Sequence, residues 1–230
     1  QDVRHADEVG ADAQVGMSLY TGALGLAEGF CAALRSDRPD GLWPTIVSDE
    51  RGVALGLVYS SLKSVDAAVE SGRGVYFSRS RGGLWAKGET SGDTQRLIRI
   101  EADCDRDALR FIVDQQGGGF CHLGTRTCFG DARGLDALAR TIEGRLGGAP
   151  DGSYTRRLLD DTKLLESKLH EEAGELCDAK SPEEATWEAA DVIYFTLVAA
   201  RQRGANLADI ERELDQRALR ISRRGGGAKA

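Results

Sequence analysis

At Gly130 the sequence changes texture, and no single folding pattern serves both sides of the change. Before it, short apolar runs follow the alternation of strands: Val53–Tyr59, Val75–Phe77, Leu97–Ala102 and Ala108–Val113. They are separated by turn residues, Gly72-Arg73-Gly74 and a flexible Gly117-Gly118-Gly119, and by one short helix over Ser61–Glu70 with serine at its cap. After Gly130 the spacing becomes helical. A helix is expected over Leu135–Leu146, then a Gly147–Gly152 linker, and helix throughout from Ser153. Leu158, Leu165, Leu169 and Leu176 form one stripe. A second helix begins after Ser181-Pro182 and carries Trp187, Asp191, Tyr194 and Val198. Asn206 caps a third, with Leu207, Ile210, Leu214, Arg217 and Ile221 on one side. The fold class expected is α+β, a compact β-rich domain over residues 46–130 followed by an all-α domain over 131–223. A flank, 1–45, and a disordered tail, 224–230, complete the chain. In the flank, Ala11–Val15 reads as a strand, followed by Gly16–Gly22 and an amphipathic segment to about Arg35, and Ser36–Pro44 reads as a connector.

Two groups of residues carry chemistry in the β-rich part. Asp103-Cys104-Asp105-Arg106-Asp107 interleaves hard carboxylate donors, suited to Mg²⁺, with a thiol suited to Zn²⁺. If Arg99–Asp105 is extended, Asp103 and Asp105 face one way and Cys104 the other. Cys121 and Cys128 are too far along the chain to be local partners of Cys104, and must return through the fold or come from a second chain. Three thiolates would leave one zinc position for water, as catalytic zinc does. The second group is Arg79, Ser80, Arg81, Trp85, Lys87, Glu89, Thr90 and Ser91, a run dense in the donors that cradle phosphate and ribose.

In the helical part, carboxylates fall on or beside apolar stripes, where they are costly unless paired or bound to a cation. Glu172-Ala-Gly-Glu175 and Glu188-Ala-Ala-Asp191 repeat the same acid-x-x-acid spacing on two helices. Antiparallel packing of those helices would converge four oxygen ligands on Mg²⁺. Lys168 lies on the same face, within reach of phosphate. The formal net charge of −7 argues against broad nucleic-acid binding, and no apolar run approaches the ~20 residues that span a membrane. Five cysteines, an odd number, point to a reducing, cytoplasmic setting with free or metal-bound thiols. The chain opens on Gln1 and reads as a processed or excised segment.

Residues 46–130 resemble phosphoribosyl-AMP cyclohydrolase, on Ser78–Arg81, Leu84–Gly92, Gln95, Asp103–Asp107, Cys121-His122 and Cys128-Phe129. Residues 131–223 resemble phosphoribosyl-ATP pyrophosphohydrolase, an all-α nucleotide pyrophosphohydrolase, on Ser153-Tyr154-Thr155, Lys168, Glu171-Glu172-Ala173, Glu175 and Glu188–Asp191. The order is that of bifunctional histidine-biosynthesis enzymes, and Gly16–Gly22, Ser36–Gly41 and Gly56–Ser61 are most similar to the front of the fungal trifunctional version. Gly10–Gly22 resembles the last strand and phosphate-binding turn of the histidine-pathway isomerase barrel, one unit of eight. The resemblance implies hydrolysis of phosphoribosyl-ATP to phosphoribosyl-AMP and pyrophosphate, with Mg²⁺ on Glu172, Glu175, Glu188 and Asp191. It then implies opening of the adenine ring with Zn²⁺ on Cys104, Cys121 and Cys128, His122 moving a proton and Mg²⁺ on Asp103, Asp105 and Asp107. It further implies a homodimer in which Cys104 of one chain joins Cys121 and Cys128 of the other. The alternative is a general nucleotide pyrophosphatase with a zinc-stabilised, non-catalytic front domain. Two departures stand out. Phe120-Cys121-His122-Leu123-Gly124 replaces the usual Ala-Cys-His-Thr-Gly, and Leu57–Ser61 replaces Leu-Ala-Tyr-Met-Asn.

Overall fold

The computed structural model describes residues 2–223, with the side chains of 220–223 excluded, so Ile221 and the tail 224–230 lie outside the description. The chain separates into two compact units, Gln1–Asp131 and Ala132–Ala230.

The first unit is built on a six-stranded sheet: β1 (Trp43–Asp49), β2 (Ala54–Ser60), β3 (Val75–Ser78), β4 (Gly83–Ala86), β5 (Gln95–Ala102) and β6 (Leu109–Gln115). The spatial order is β4-β3-β2-β1-β6-β5. Every neighbouring pair is antiparallel except β1 and β6, which run parallel, with Thr45 opposite Leu109 and Asp49 opposite Val113. Those two central strands supply much of the core: Val47, Phe111 and Val113 are fully buried, together with Leu55 and Tyr76. The runs expected as strands form β2, β3, β5 and β6. β1 and β4 were not expected. β1 begins at Trp43-Pro44, and a proline near a strand's start reads locally as a connector. β4 lies inside the basic, glycine-rich run, where it pairs with β3.

The flank contains α1 (Asp2–Glu8), α2 (Met17–Tyr20) and α3 (Leu26–Cys31). The strand expected over Ala11–Val15 is absent: those residues are irregular, and Ala11–Gln14 are exposed. A strand needs a partner for its backbone donors and acceptors, and the sheet begins only at Trp43. The flank still belongs to the first unit. Ala27, Cys31 and Leu34 are buried with Trp43 in the core, and Trp43 Nε1 donates to the Arg35 carbonyl at 2.8 Å. Burial pushes the Cys31 thiol up to about 12. Between β2 and β3, α4 (Leu62–Ser71) starts at a reciprocal cap in which the Ser61 and Ser64 hydroxyls each accept from the other's backbone N–H.

A buried polar chain ties three strands together. The Tyr76 hydroxyl donates to Gln95 Oε1 at 2.6 Å, and Gln95 Nε2 donates to Gln115 Oε1 at 2.8 Å.

The second unit is helical: α5 (Gly134–Gly147), α6 (Tyr154–Asp160), α7 (Thr162–Asp178), α8 (Pro182–Gln202) and α9 (Leu207–Arg223). The helix expected to run on from Ser153 is broken at Asp161, whose carboxylate accepts from the Leu164 N–H at 3.0 Å and so starts α7. Ser181 caps α8 through the Glu184 N–H at 3.1 Å, while Glu184 reaches back to the Lys180 N–H at 2.7 Å. Asn206 and Asp209 cap α9 reciprocally. Ile142, Leu158, Leu165, Phe195, Val198 and Leu207 form the core, with Leu169 and Tyr194 packed against it. Trp187, expected on the inward stripe of α8, is instead 62% exposed, because it sits near the start of α8, ahead of the buried Phe195, Leu197 and Val198. Among the described residues no helix is long and apolar enough to cross a membrane.

Replacing Tyr76 with phenylalanine strands the buried Gln95 acceptor, so Tyr76→Phe is expected to cost about 1–3 kcal/mol. A lowered urea midpoint for the first unit checks it; an unchanged midpoint would show that the hydroxyl adds nothing.

Candidate active sites

Among the described residues, two groups of carboxylates have oxygens that all lie within 4.8 Å of one another, and each unit contains one. In the first unit the group is Asp103, Asp105 and Asp107. β5 ends at Ala102, so the segment is a bend and not the extended run expected over Arg99–Asp105. Convergence comes from the turn. Asp103 accepts from the Ala108 and Asp107 N–H groups at 3.1 and 3.0 Å, which holds its carboxyl below the usual range. Arg106 adopts φ 65, the sole positive φ outside glycine among the described residues. The Asp105 charge pushes the Asp107 carboxyl up. Three clustered acids in a loop suit a hard cation, which would relieve that repulsion.

In the second unit Glu172 comes from α7, and Glu188 and Asp191 from α8. Glu172 is 8% exposed. Burial, then the charges of Asp191 and Glu175, push its carboxyl up; burial and Glu175 do the same to Glu188. Glu175 is outside the tight group, but its charge acts on both Glu172 and Glu188. Lys168 is 2.8 Å from Glu171 and 3.7 Å from Glu172. These acids press together with the Lys168 ammonium beside them, and they form the kind of donor set a divalent cation would complete.

The thiols divide. The Leu123 N–H and Thr125 hydroxyl lower the Cys121 thiol, while burial, then the neighbouring Cys121, raise that of Cys128. Cys104 is exposed and contacts Asp105. Among the described residues no third His, Cys, Asp or Glu joins Cys121 and Cys128. The sheet order explains the separation. Cys128 is anchored on β2, its N–H donating to Leu55 at 2.8 Å, whereas Cys104 lies between β5 and β6. Two to three inter-strand steps intervene, roughly 10–14 Å. His122 is exposed.

The donor-rich run does not act as one exposed loop. Arg79, Ser80, Arg81, Glu89, Thr90 and Ser91 are exposed, with the Arg79 guanidinium 3.9 Å from the centre of the Tyr59 ring. Trp85 is half-buried with its ring centre 5.9 Å from that of Tyr76. Lys87 is buried. Its ammonium donates to the carbonyls of Asp93 at 3.1 Å and Gly119 at 3.4 Å, in the field of Cys121 and Cys128, and burial lowers its pKa.

Three residues escaped sequence reasoning. Asp93 accepts from the Gly118 N–H at 2.7 Å. The triple-glycine segment is therefore pinned, and Gly119, at φ 141, passes so close to Thr125 that a Cβ would lie 2.5 Å from its carbonyl oxygen. Arg126, at 2.9 Å from the buried Asp49, fixes the return of the loop toward Cys128. A lone Asp or Arg carries no signal of such distant pairing.

The family model for Phosphoribosyl-AMP cyclohydrolase matches residues 56–130, and that for Phosphoribosyl-ATP pyrophosphohydrolase matches residues 135–218. The chain is 38% identical over 199 residues to the histidine biosynthesis bifunctional protein HisIE of Parasynechococcus marenigrum, covering 77% of this chain and 89% of that protein. It is 52% identical over 204 residues to the histidine biosynthesis trifunctional protein of Komagataella pastoris, covering 89% of this chain and 24% of that protein. Against the histidine biosynthesis bifunctional protein his7 of Schizosaccharomyces pombe the identity is 51% over 206 residues, covering 90% of this chain and 49% of that protein. The chain thus spans about a quarter of the length of the trifunctional relatives it matches. It belongs to the family of histidine-biosynthesis proteins that join a phosphoribosyl-AMP cyclohydrolase domain to a phosphoribosyl-ATP pyrophosphohydrolase domain.

The Phe120 departure has a structural counterpart. A Cβ on Gly56 would lie 2.2 Å from Phe120 Cε1, so the ring occupies the space that glycine leaves on β2. Gly56→Ala is expected to destabilise the first unit by about 1–3 kcal/mol through overpacking, and adding Phe120→Ala should recover part of that loss. Strict additivity in a double-mutant cycle of urea midpoints would refute the coupling.

Proposed function

We propose that the protein catalyses two successive hydrolyses in histidine biosynthesis. The second unit cleaves phosphoribosyl-ATP to phosphoribosyl-AMP and pyrophosphate, and the first opens the adenine ring of phosphoribosyl-AMP between N1 and C6. What carries the reading is that each matched domain holds its own convergent carboxylate group. Each reaction consumes one water, in the first breaking the anhydride between the α- and β-phosphates, in the second adding to C6.

Glu172, Glu175, Glu188 and Asp191 would hold Mg²⁺, and Asp103, Asp105 and Asp107 a second Mg²⁺. Cys121 and Cys128 would hold Zn²⁺ with Cys104 of a second copy. When bound, such ions neutralise phosphate charge and acidify water. The chain's own groups bind and orient. Lys168, already on the acidic face, offers its ammonium to the leaving phosphates. Arg79, Ser80, Arg81, Thr90 and Ser91 present exposed donors for the phosphoribosyl groups. His122, next to Cys121 in the chain, would move a proton during ring opening. Lys87 fixes the Asp93 and Gly119 backbones from which the Cys121 loop departs. A homodimer and a reducing, cytoplasmic setting complete the reading, supported by five free cysteines and by the separation of Cys104 from the other two.

The activities are expected to separate. Glu172→Gln or Asp191→Asn should abolish pyrophosphate release from phosphoribosyl-ATP, while ring opening of supplied phosphoribosyl-AMP, followed by absorbance, continues. Cys121→Ser should do the reverse. Loss of both activities by either change, in folded protein, would defeat the two-site reading. A general nucleotide pyrophosphatase would release pyrophosphate with no absorbance change at all.

The shared thiol site has its own test. Cys104→Ser and Cys121→Ser proteins, each inactive in ring opening, should regain part of it when mixed under conditions of subunit exchange, since one site of each mixed dimer keeps all three thiolates. Verified exchange with no recovery would place the site within one chain.

A further inference from the structure

The Asp103–Asp107 bend is held from outside by a part of the chain that precedes the cyclohydrolase match, which begins at residue 56. Arg106 sits between Asp105 and Asp107 in the left-handed region, which few side-chain-bearing residues adopt and which persists where the surroundings hold it. Two contacts reach Arg106 from the flank. The Arg35 N–H donates to the Arg106 carbonyl at 2.8 Å. The Arg106 guanidinium is bound by the Asp7 carboxylate of α1, and Asp7 also pairs with Arg35 at 3.3 Å. Arg35 is in turn tied to the sheet, since its carbonyl accepts from Trp43 Nε1 of β1 at 2.8 Å. A continuous path therefore runs from β1 through Arg35 and Asp7 to the residue that turns the bend. The path closes on the loop's internal bracing, in which Asp103 accepts from the Asp107 and Ala108 N–H groups.

We propose that Asp7 is a positioning residue for the divalent-ion site of the cyclohydrolase unit, clamping Arg106 so that the oxygens of Asp103, Asp105 and Asp107 stay convergent. The physical reason is the mutual repulsion of the three acids. Without a cation they favour a splayed loop, and the left-handed residue between two of them is the natural point of escape. The clamp removes that escape before the ion arrives, and so lowers the ordering cost of binding. Asp7 lies outside the carboxylate group and acts solely through Arg106 and Arg35.

The inference rests on the reading of the loop as a metal site, and the experiment separates the two. The full chain carrying Glu172→Gln and Asp191→Asn, which withdraws the second carboxylate group, is titrated with Mn²⁺ as the probe, free ion being read by electron paramagnetic resonance. Loss of bound Mn²⁺ on adding Asp105→Asn establishes the loop as the site; unchanged binding would overturn that reading and the proposal with it. Given the site, Asp7→Ala is expected to weaken Mn²⁺ binding roughly tenfold, the lower end of what removing an outer partner of a metal ligand costs. Asp7→Glu should restore most of it. Amides of Asp107 and Ala108 in metal-free Asp7→Ala protein should exchange hydrogen faster than in the parent. Parental affinity in Asp7→Ala would overturn the clamp. Arg106→Gly provides a second route that leaves α1 untouched, should Asp7→Ala fail to fold. Glycine accepts the left-handed backbone without strain but removes the guanidinium. Weaker Mn²⁺ binding therefore supports the clamp, while equal or tighter binding shows that only the backbone conformation matters and overturns it.

Discussion

The first unit depends on the parallel pairing of β1 with β6. Parallel neighbours cannot be joined by a tight turn, so the chain between them must travel out and return, and here it builds β2, α4, β3, β4 and β5 on the way. Placing β6 between β1 and β5 puts a loop at each of its ends. The Asp103–Asp107 bend enters β6, and the pinned glycine segment leaves it toward Cys121. β6 thus runs between the bend that carries the acids and Cys104 and the segment that leads to Cys121 and Cys128.

Around that frame, the loops are held by unusual partners for their surroundings. Lys87 uses a buried ammonium to join two backbone carbonyls, and Asp93 uses a carboxylate to hold the Gly118 N–H. Asp49 is buried against Arg126. Charged groups are costly to bury, and for Lys87 and Asp49 that cost is offset by hydrogen bonds that fix a loop at one place on the sheet. Rigid loops matter for a site whose ligands come from several segments, since each freedom left in a loop must be lost on binding.

The second unit uses a simpler device. α7 and α8 each carry acids on faces that also carry apolar residues, so packing Leu165, Phe195 and Val198 together draws Glu172, Glu188 and Asp191 together as well. Burial and like charge then raise Glu172 and Glu188 toward protonation, and the core supplies the stability that their repulsion opposes. Core and site are one construction here.

This difference explains what the sequence by itself determined. In the helical unit, periodicity places a residue's neighbours three and four positions away, so the caps at Ser181 and Asn206, the acids Glu172, Glu188 and Asp191, and most of the stripes were readable locally, while Trp187 and Leu214, expected on the stripes, are exposed. In the first unit the strands with clean alternation were legible, as was the Asp103–Asp107 cluster. The means of its convergence was not, because a bend held by Asp7 and Arg35 depends on residues some seventy to a hundred positions away. β1 was hidden by its proline, the expected strand at Ala11–Val15 found no partner, and the basic run proved to contain β4 and a buried lysine. Sheets are made of nonlocal pairs, and a strand exists only where another strand lies beside it. Which strand lies beside which, and so which donors can meet, was decided by the tertiary structure alone.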